Sequence, residues 1–418
     1  MRKSLLLATA AFLAVALGAC SGGTPALPNS PVTSPQSNYV ADGCAVPDTS
    51  IAEAPHCYAV HRIDVGAAAP GGYTGLYVIP GVTRVSELRT ALSRSAAASG
   101  TPSGYGPADL ASAYALPTTT AGSGQTVGIV DYGNDPNVES DLGVYRSTYG
   151  LPPCTTANGC FKKVNESGVQ GSYPKDNRSW SGEISLDVDM VSAVCPNCKI
   201  VLVEVSKSFN NGENTAINLG ANVVSNSYGA SLAAGYNAAF DHPGHILTVA
   251  SGDSGYSSST TYPDGYGTVV SVGGTTLKKA SNTRGWTETT WSGSTSECST
   301  GVAKPAWQKD TGCSARTETD VSAVSDPNTG LAVYLTYGGN GWTVYGGTSA
   351  ASPILAGVYA LAGNEASLTY AQSVYTNASK LNDVTSGSNG SCAGYLCNAG
   401  TGYDGPTGNG TPNGLGAF

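Results

Sequence analysis

Charge is scarce in this 418-residue sequence: Asp, Glu, Lys and Arg together make up only 12%. The shortage is not that of a disordered chain, because hydrophobic residues still reach 40%, enough to fill a core. Basic residues are outnumbered 20 to 29, which leaves a net charge of −9. No basic stripe is available to follow a phosphate backbone, so nucleic acid is excluded as a partner. Histidine is scarcer still, with four copies: His56, His61, His242 and His245. Beyond the N-terminal residues, no apolar run approaches the length needed to span a membrane.

What is present first points to export. Arg2 and Lys3 precede an almost wholly apolar stretch, Leu5 to Leu17, and small residues follow. Residues 1–20 read as an export signal too short to cross a bilayer. Leu17-Gly18-Ala19-Cys20 is similar to a bacterial lipobox, and the alternative is an ordinary signal with a chance cysteine. We therefore expect a secreted, extracellular protein, anchored as a lipoprotein if Cys20 carries lipid. Residues 21–43 are rich in Pro, Ser, Asn and Gly and read as a flexible tether.

The remaining ten of the eleven cysteines fall into near neighbours: Cys44 with Cys57, Cys154 with Cys160, Cys195 with Cys198, Cys298 with Cys313, and Cys392 with Cys397. Five local disulfides are the simple reading in an oxidising compartment, because short loops cost least to close. Cys195-Pro196-Asn197-Cys198 has two other readings, a redox motif or half a zinc site. The histidines lie far from it in sequence.

Residues 44–104 form a short N-terminal segment. It has a strand expected around Tyr77-Val78-Ile79, a helical stretch near Val85 to Ala96, and an Ala/Ser/Gly/Pro-rich linker over 96–107. From there the pattern changes. A short helix starts at Pro107, with Asp109 near its positive end. Apolar runs over 125–131, 199–205, 223–227, 246–250 and 269–272 each end in a turn of small polar residues, with helical stretches such as 215–220 between them. Short apolar strands alternating with helices predict an α/β fold with a mainly parallel central sheet. Chemistry in such sheets gathers at the carboxyl ends of the strands, here Asp131, Ser225 to Tyr228 and Ser251 to Ser254.

The string Gly346-Gly347-Thr348-Ser349-Ala350-Ala351-Ser352-Pro353 runs into an apolar helix, Ile354 to Ala362. Ser349 is thereby placed at a helix N-terminus, where free N–H groups favour a developing oxyanion. A helix cap is the plain alternative. The string is close to the nucleophile motif of subtilisin-like folds. A serine nucleophile needs a base, and His242 and His245 sit in a turn-like Asp-His-Pro-Gly-His that does not suit the part. Glu183 and Asp187 are four apart. On a helix they share a face, close enough to share a proton. However, residues 183–190 alternate polar and apolar, which by itself reads as a strand that would hold the two acids apart.

Together these motifs resemble the sedolisins, serine-carboxyl peptidases of subtilisin-like fold, over about residues 105–418. Glu183 and Asp187 match the family's Glu-x-x-x-Asp pair, which lies on a helix. Asp253 in Ala250-Ser251-Gly252-Asp253-Ser254-Gly255 matches its oxyanion aspartate, and Ser349 matches its nucleophile. Asp320-Val321-Ser322-Ala323 with Asp326-Pro327 and Gly330 is also similar to the family.

The resemblance implies a subtilisin-like sheet with helices on both faces. It also implies a Ser349–Glu183–Asp187 triad and an endopeptidase acting on protein or peptide substrates; a monomer is expected. A carboxyl group at the oxyanion position helps only when protonated, so activity in acid is expected. Asp131 is set against an additional family acid. Asp383, Val384, Gly400, Gly402 and Asp404 resemble the family's calcium site, implying one structural Ca2+ held by oxygen ligands; an Asp/Gly-rich turn region is the alternative. Two departures stand out: Tyr228-Gly229 replaces a frequent Trp-Gly, and residues 44–104 are much shorter than the usual prodomain, so they read as a reduced prosegment or an anchor region. A catalytically inactive exported binding protein of the same fold is the competing function.

Overall fold

Buried β-branched and aliphatic residues bounded by Gly, Ser and Asn build the central strands. The computed structural model describes residues 38–42, 44, 55–63, 102–230, 232, 235–257 and 261–418, all within one unit, Asn38–Phe418. The export signal with Cys20, the strand expected near Tyr77 and the helix expected near Val85 lie outside the described residues.

The N-terminal segment contributes β1 (Tyr39–Ala41), β2 (His56–Cys57) and β3 (Val60–Arg62). Then follow β4 (Thr126–Tyr132), β5 (Phe161–Asn165), β6 (Lys199–Val205), β7 (Val223–Asn226), β8 (Tyr228–Gly229), β9 (Ile246–Ala250), β10 (Val270–Lys279) and β11 (Trp286–Thr290). The last are β12 (Glu297–Ala303), β13 (Ala315–Glu318), β14 (Val321–Val324), β15 (Leu331–Leu335) and β16 (Gly341–Gly346). The main sheet has eight strands in the order β11-β10-β9-β7-β4-β6-β5, with β14 also paired to β10. Within this sheet, among the described residues, only the β10–β11 pair is antiparallel. The first of its strands in sequence, β4, lies between β6 and β7, so the connections diverge there and leave a crevice at the strand ends.

Strand alternation sorts the helices to the two faces. A Cβ on Gly128 would meet Ala216 and Ala221, and one on Gly212 would meet Val130, so that face of β4 carries the helix Phe209–Asn218. Asp131, of opposite parity, faces the acids of the helix Ser181–Val194. The helix Thr348–Ala362 packs on both that helix and the sheet.

Two corrections concern the sequence reading. Residues 183–190 are helical despite their alternation. Every residue of Ser181–Val194 is buried, so the helix has no solvated face and no 3.6-residue stripe to betray it. The expected tether over 21–43 also ends sooner, because Tyr39–Ala41 forms β1 and pairs antiparallel with β3. The described residues of the segment beginning at residue 44 likewise pair with strands of the same unit. β3 adds to β16 through Val60 and His61, and all five neighbour cysteine pairs are joined as disulfides. The Cys195–Cys198 bond leaves neither sulfur free for zinc.

Candidate active site

The serine is presented by a turn only glycine can make. Gly347 caps the helix Thr348–Ala362 with φ at 93°, and a Cβ there would stand 1.8 Å from the Tyr58 carbonyl oxygen. Ser349 follows in the first helical turn, where backbone N–H groups have no partner further up the helix. Pro353 has no N–H to return to the Ser349 carbonyl, and the Ser227 hydroxyl lies 3.2 Å from that oxygen instead.

The helix Ser181–Val194 brings carboxylates to the serine. Ser349 Oγ donates to Glu183 Oε2 at 2.9 Å. One turn on, Asp187 Oδ1 accepts from Ser227 Oγ at 2.8 Å, and Ser227 O lies 3.2 Å from Ser349 Oγ. Thus Ser227, at the end of β7, touches both partners. Glu183 and Asp187 are wholly buried, and desolvation drives both carboxyls well above their usual range. Asp187 and Asp131 push Glu183 up further, and Asp131 does the same to Asp187. Asp131 has no hydrogen-bond partner on either oxygen, and burial lifts it to about 7. Three acids packed this closely favour proton sharing over full ionisation.

Asp253 approaches from the end of β9. Its Oδ1 accepts from the Thr348 N–H at 2.8 Å and from Thr348 Oγ1 at 2.9 Å. With Oδ1 committed as an acceptor, a proton belongs on Oδ2. That oxygen would lie 2.7 Å from a Cβ on Gly347, crowding the same point as the Tyr58 carbonyl. Burial raises the Asp253 carboxyl to about 7, so in acid it is a neutral hydrogen-bond donor.

Glu183, Asp187, Asp253 and Ser349 therefore converge on one point, whereas His242 and His245 do not join them. Those two rings meet the backbone carbonyls of Ala239 and Ala221, each at 2.9 Å. Ser227 and Thr348 were missed by the sequence reading as holders of the acids, although the strand end carrying Ser227 had been marked.

The largest omission is a strand across the site. β2 pairs antiparallel with β8 (His56 opposite Gly229, Cys57 opposite Tyr228), and Tyr58 follows directly over Ser349. The Cys44 and Cys57 sulfurs and a Glu183 oxygen lie within 4.8 Å of one another, so the cystine roofs the carboxylate. Asp42 fastens the same segment through His61 Nδ1 at 2.5 Å and the Tyr345 hydroxyl at 3.0 Å. Ser349 is left with no exposed surface.

At the C-terminus, Asp383 Oδ2 accepts from the Gly402 N–H at 2.9 Å and Asp404 Oδ2 from the Gly400 N–H at 3.0 Å. Burial raises the Asp404 carboxyl to about 7, and the like charge of Asp383 adds to the rise. Two carboxylates that interact on glycine-rich loops suit an oxygen-binding cation. Val384 is buried beside Asp383.

A family model for the subtilases matches residues 162–392, more than half of the chain. Sedolisin of Pseudomonas sp. (strain 101) is 30% identical over 78% of this chain, and kumamolisin of Bacillus sp. (strain MN-32) 29% over 76%. The chain spans 63% of the length of each, less than two thirds. The solved structure of Pseudomonas sedolisin, a serine-carboxyl proteinase complexed with two molecules of pseudo-iodotyrostatin, overlays with a TM-score of 0.62 at 25% identity, covering 75% of this chain and 96% of that one. The chain belongs to the subtilase family, and within it to the sedolisins.

Proposed function

We propose that the protein is a serine-carboxyl endopeptidase that works in acid. The observation that carries this reading is the 2.9 Å hydrogen bond from Ser349 Oγ to Glu183 Oε2 in a site without a histidine base. Ser349 Oγ attacks the peptide carbonyl carbon while its proton passes to Glu183. Oxygen charge in the tetrahedral intermediate is met by Asp253 Oδ2–H and the Ser349 N–H. Glu183 then returns the proton to the departing amine nitrogen, leaving an ester on Ser349. Water hydrolyses the ester by the same relay, and Asp187, held by Ser227, orients Glu183 and shares its proton.

Acidic conditions suit Asp253, which must keep its proton, while Glu183 must be free of its own to take that of Ser349 and shares it with Asp187 and Asp131. The substrates are unfolded or partly unfolded proteins outside the cell, to which the N-terminal export signal directs the enzyme, with a lipid anchor if Cys20 is modified. The acting species is a monomer. Residues 44–104 serve as a reduced prosegment whose strand over Ser349 keeps the enzyme latent until acid loosens it. One calcium ion, held by the Asp383 and Asp404 carboxylates and by carbonyls of Val384, Gly400 and Gly402, fastens the C-terminal loops and takes no part in the chemistry.

The test is cleavage of denatured protein near pH 4 by the full chain after acid incubation, beside Ser349→Ala and Glu183→Gln. Activity lost in both variants is expected. Equal activity in all three, or none in the unaltered chain, overturns the reading.

A further inference from the structure

Tyr58 is only 7% exposed, although it follows directly on a strand laid over the cleft. Its backbone meets the reacting groups: the N–H donates to Ser349 Oγ at 3.1 Å, and the carbonyl stands beside Asp253. That is the position of the residue whose carbonyl is attacked. Its ring runs inward past two residues without side chains. A Cβ on Gly229 would lie 2.1 Å from the phenol oxygen, and one on Gly252 would lie 3.4 Å from ring carbon Cε1.

The far end of this pocket is polar. The phenol lies 3.1 Å from His56 Nε2, on its own strand, and is hydrogen-bonded to the Thr261 side chain. Thr261 Oγ1 donates in turn to Asp264 Oδ1 at 2.9 Å, and Asp264 is fully buried. A bond from the Ala230 N–H to the Tyr262 carbonyl, 2.8 Å, fixes the loop bearing Thr261 beside the wall made by Gly229. The phenol hydrogen thus has an acceptor that passes its own hydrogen to a carboxyl group, a chain whose members polarise one another.

We propose that Thr261 and Asp264 are specificity-determining residues, selecting tyrosine over phenylalanine on the amino side of the scissile bond. The proposal rests on the peptidase reading and names its preferred substrates. Phenylalanine fills the same space but leaves the Thr261 acceptor unmatched, which costs about tenfold. Lysine or arginine would find Asp264 and Glu318 at the pocket floor, but burial lifts Asp264 to about 6 and Glu318 higher still. In acid that floor is neutral, and a cation there is buried without a counter-charge. Among bonds of the described residues, Tyr58–Ala59 is the one presented for cleavage.

The test has two arms. Peptides differing only in Tyr, Phe or Arg before the cleaved bond are given to the acid-activated enzyme near pH 4. Tyr is expected to lead Phe by about tenfold in kcat/KM, with Arg last, and Thr261→Val should bring the Tyr-to-Phe ratio near one. A ratio near one in the unaltered enzyme, a ratio unmoved by Thr261→Val, or Arg in the lead overturns the proposal. The second arm needs no activity: in full-length Ser349→Ala, hydrogen exchange of residues 55–60 is followed in Tyr58→Phe, Thr261→Val and the double variant. Each single change should speed exchange several-fold and the double no further, whereas multiplying effects overturn the proposal. Should no peptide be cut at all, the peptidase reading fails, and the exchange arm still decides the pocket.

Discussion

The Tyr58 amide donates its hydrogen to the Ser349 hydroxyl oxygen, 3.1 Å away, across 291 positions of sequence. The candidate nucleophile is therefore engaged by its own chain, and the first expectations concern how it is set free and how it reacts.

Glu183→Gln keeps the shape of the side chain and removes its ability to take the serine proton. Turnover of a denatured protein should fall about 10²- to 10⁴-fold with little change in KM. Asp187→Asn, which leaves a partner for Ser227, should cost less. Steady-state kinetics on acid-activated enzyme would check both, and an unaltered rate in Glu183→Gln would remove the base from the mechanism.

Asp253 sets the alkaline limit. With a carboxyl raised to about 7, it donates to the oxyanion below that pH and loses its proton above it. The rate should decline as pH rises through about 7. Asp253→Ala should lose about 10²- to 10³-fold in acid, where the unaltered carboxyl donates, and less above its titration. Asp253→Asn, which keeps a donor, should hold its activity further into the neutral range. Profiles of kcat/KM against pH distinguish these outcomes.

Folding stability should also favour acid. Asp131 and Asp253 each rise from an ordinary value of 3.8 to about 7 on burial. Below 3.8 both states hold these protons, and the folded state suffers no loss. Between 3.8 and about 7 the unfolded chain releases them while the fold retains them, so stability falls as pH climbs. Thermal melts of Ser349→Ala should give a higher Tm at pH 4 than at pH 7.5, with part of the difference removed by Asp131→Asn.

The Cys44–Cys57 disulfide lies against the Glu183 carboxyl. Replacing both cysteines by serine should free the strand over Ser349 more readily. On a shift to acid, the lag before a peptide is cut should shorten several-fold. A lag of unchanged length would mean that strand pairing and Tyr58 alone hold the segment.

Calcium binding at Asp383 and Asp404 predicts that a chelator lowers the Tm by roughly 5 °C or more, since a ligand lost from the folded state removes its linkage. Asp404→Asn should lower the Tm and make it indifferent to chelator.

Much of the sheet was legible because strand ends are marked locally. The apolar runs Lys199–Val205 and Ile246–Ala250 became strands with those same limits. Neighbouring cysteines pair for the same local reason. The helix bearing Glu183 was not legible from periodicity, since burial on all sides erases the pattern that alternation imitates. It was the likeness to a family that set those acids on a helix. Nothing local in His56-Cys57-Tyr58 announces a partner, because the edge it joins, Tyr228–Gly229, is remote in sequence and supplies backbone groups common to any strand. Tyr39–Ala41 was passed over as part of a polar tether for a similar reason: three residues are too few for a period, and only the pairing with Val60–Arg62 gives them a form.

That last pairing has a bearing on what a single cut would accomplish. Were Tyr58–Ala59 cleaved as far as the ester on Ser349, the upstream piece would keep β1 against β3 of the downstream piece, and β2 against β8. The new amine would remain beside the ester carbon at a high effective molarity. Rejoining would then compete with departure, and the enzyme would pass back and forth across that bond until acid or a competing chain pried the strand loose.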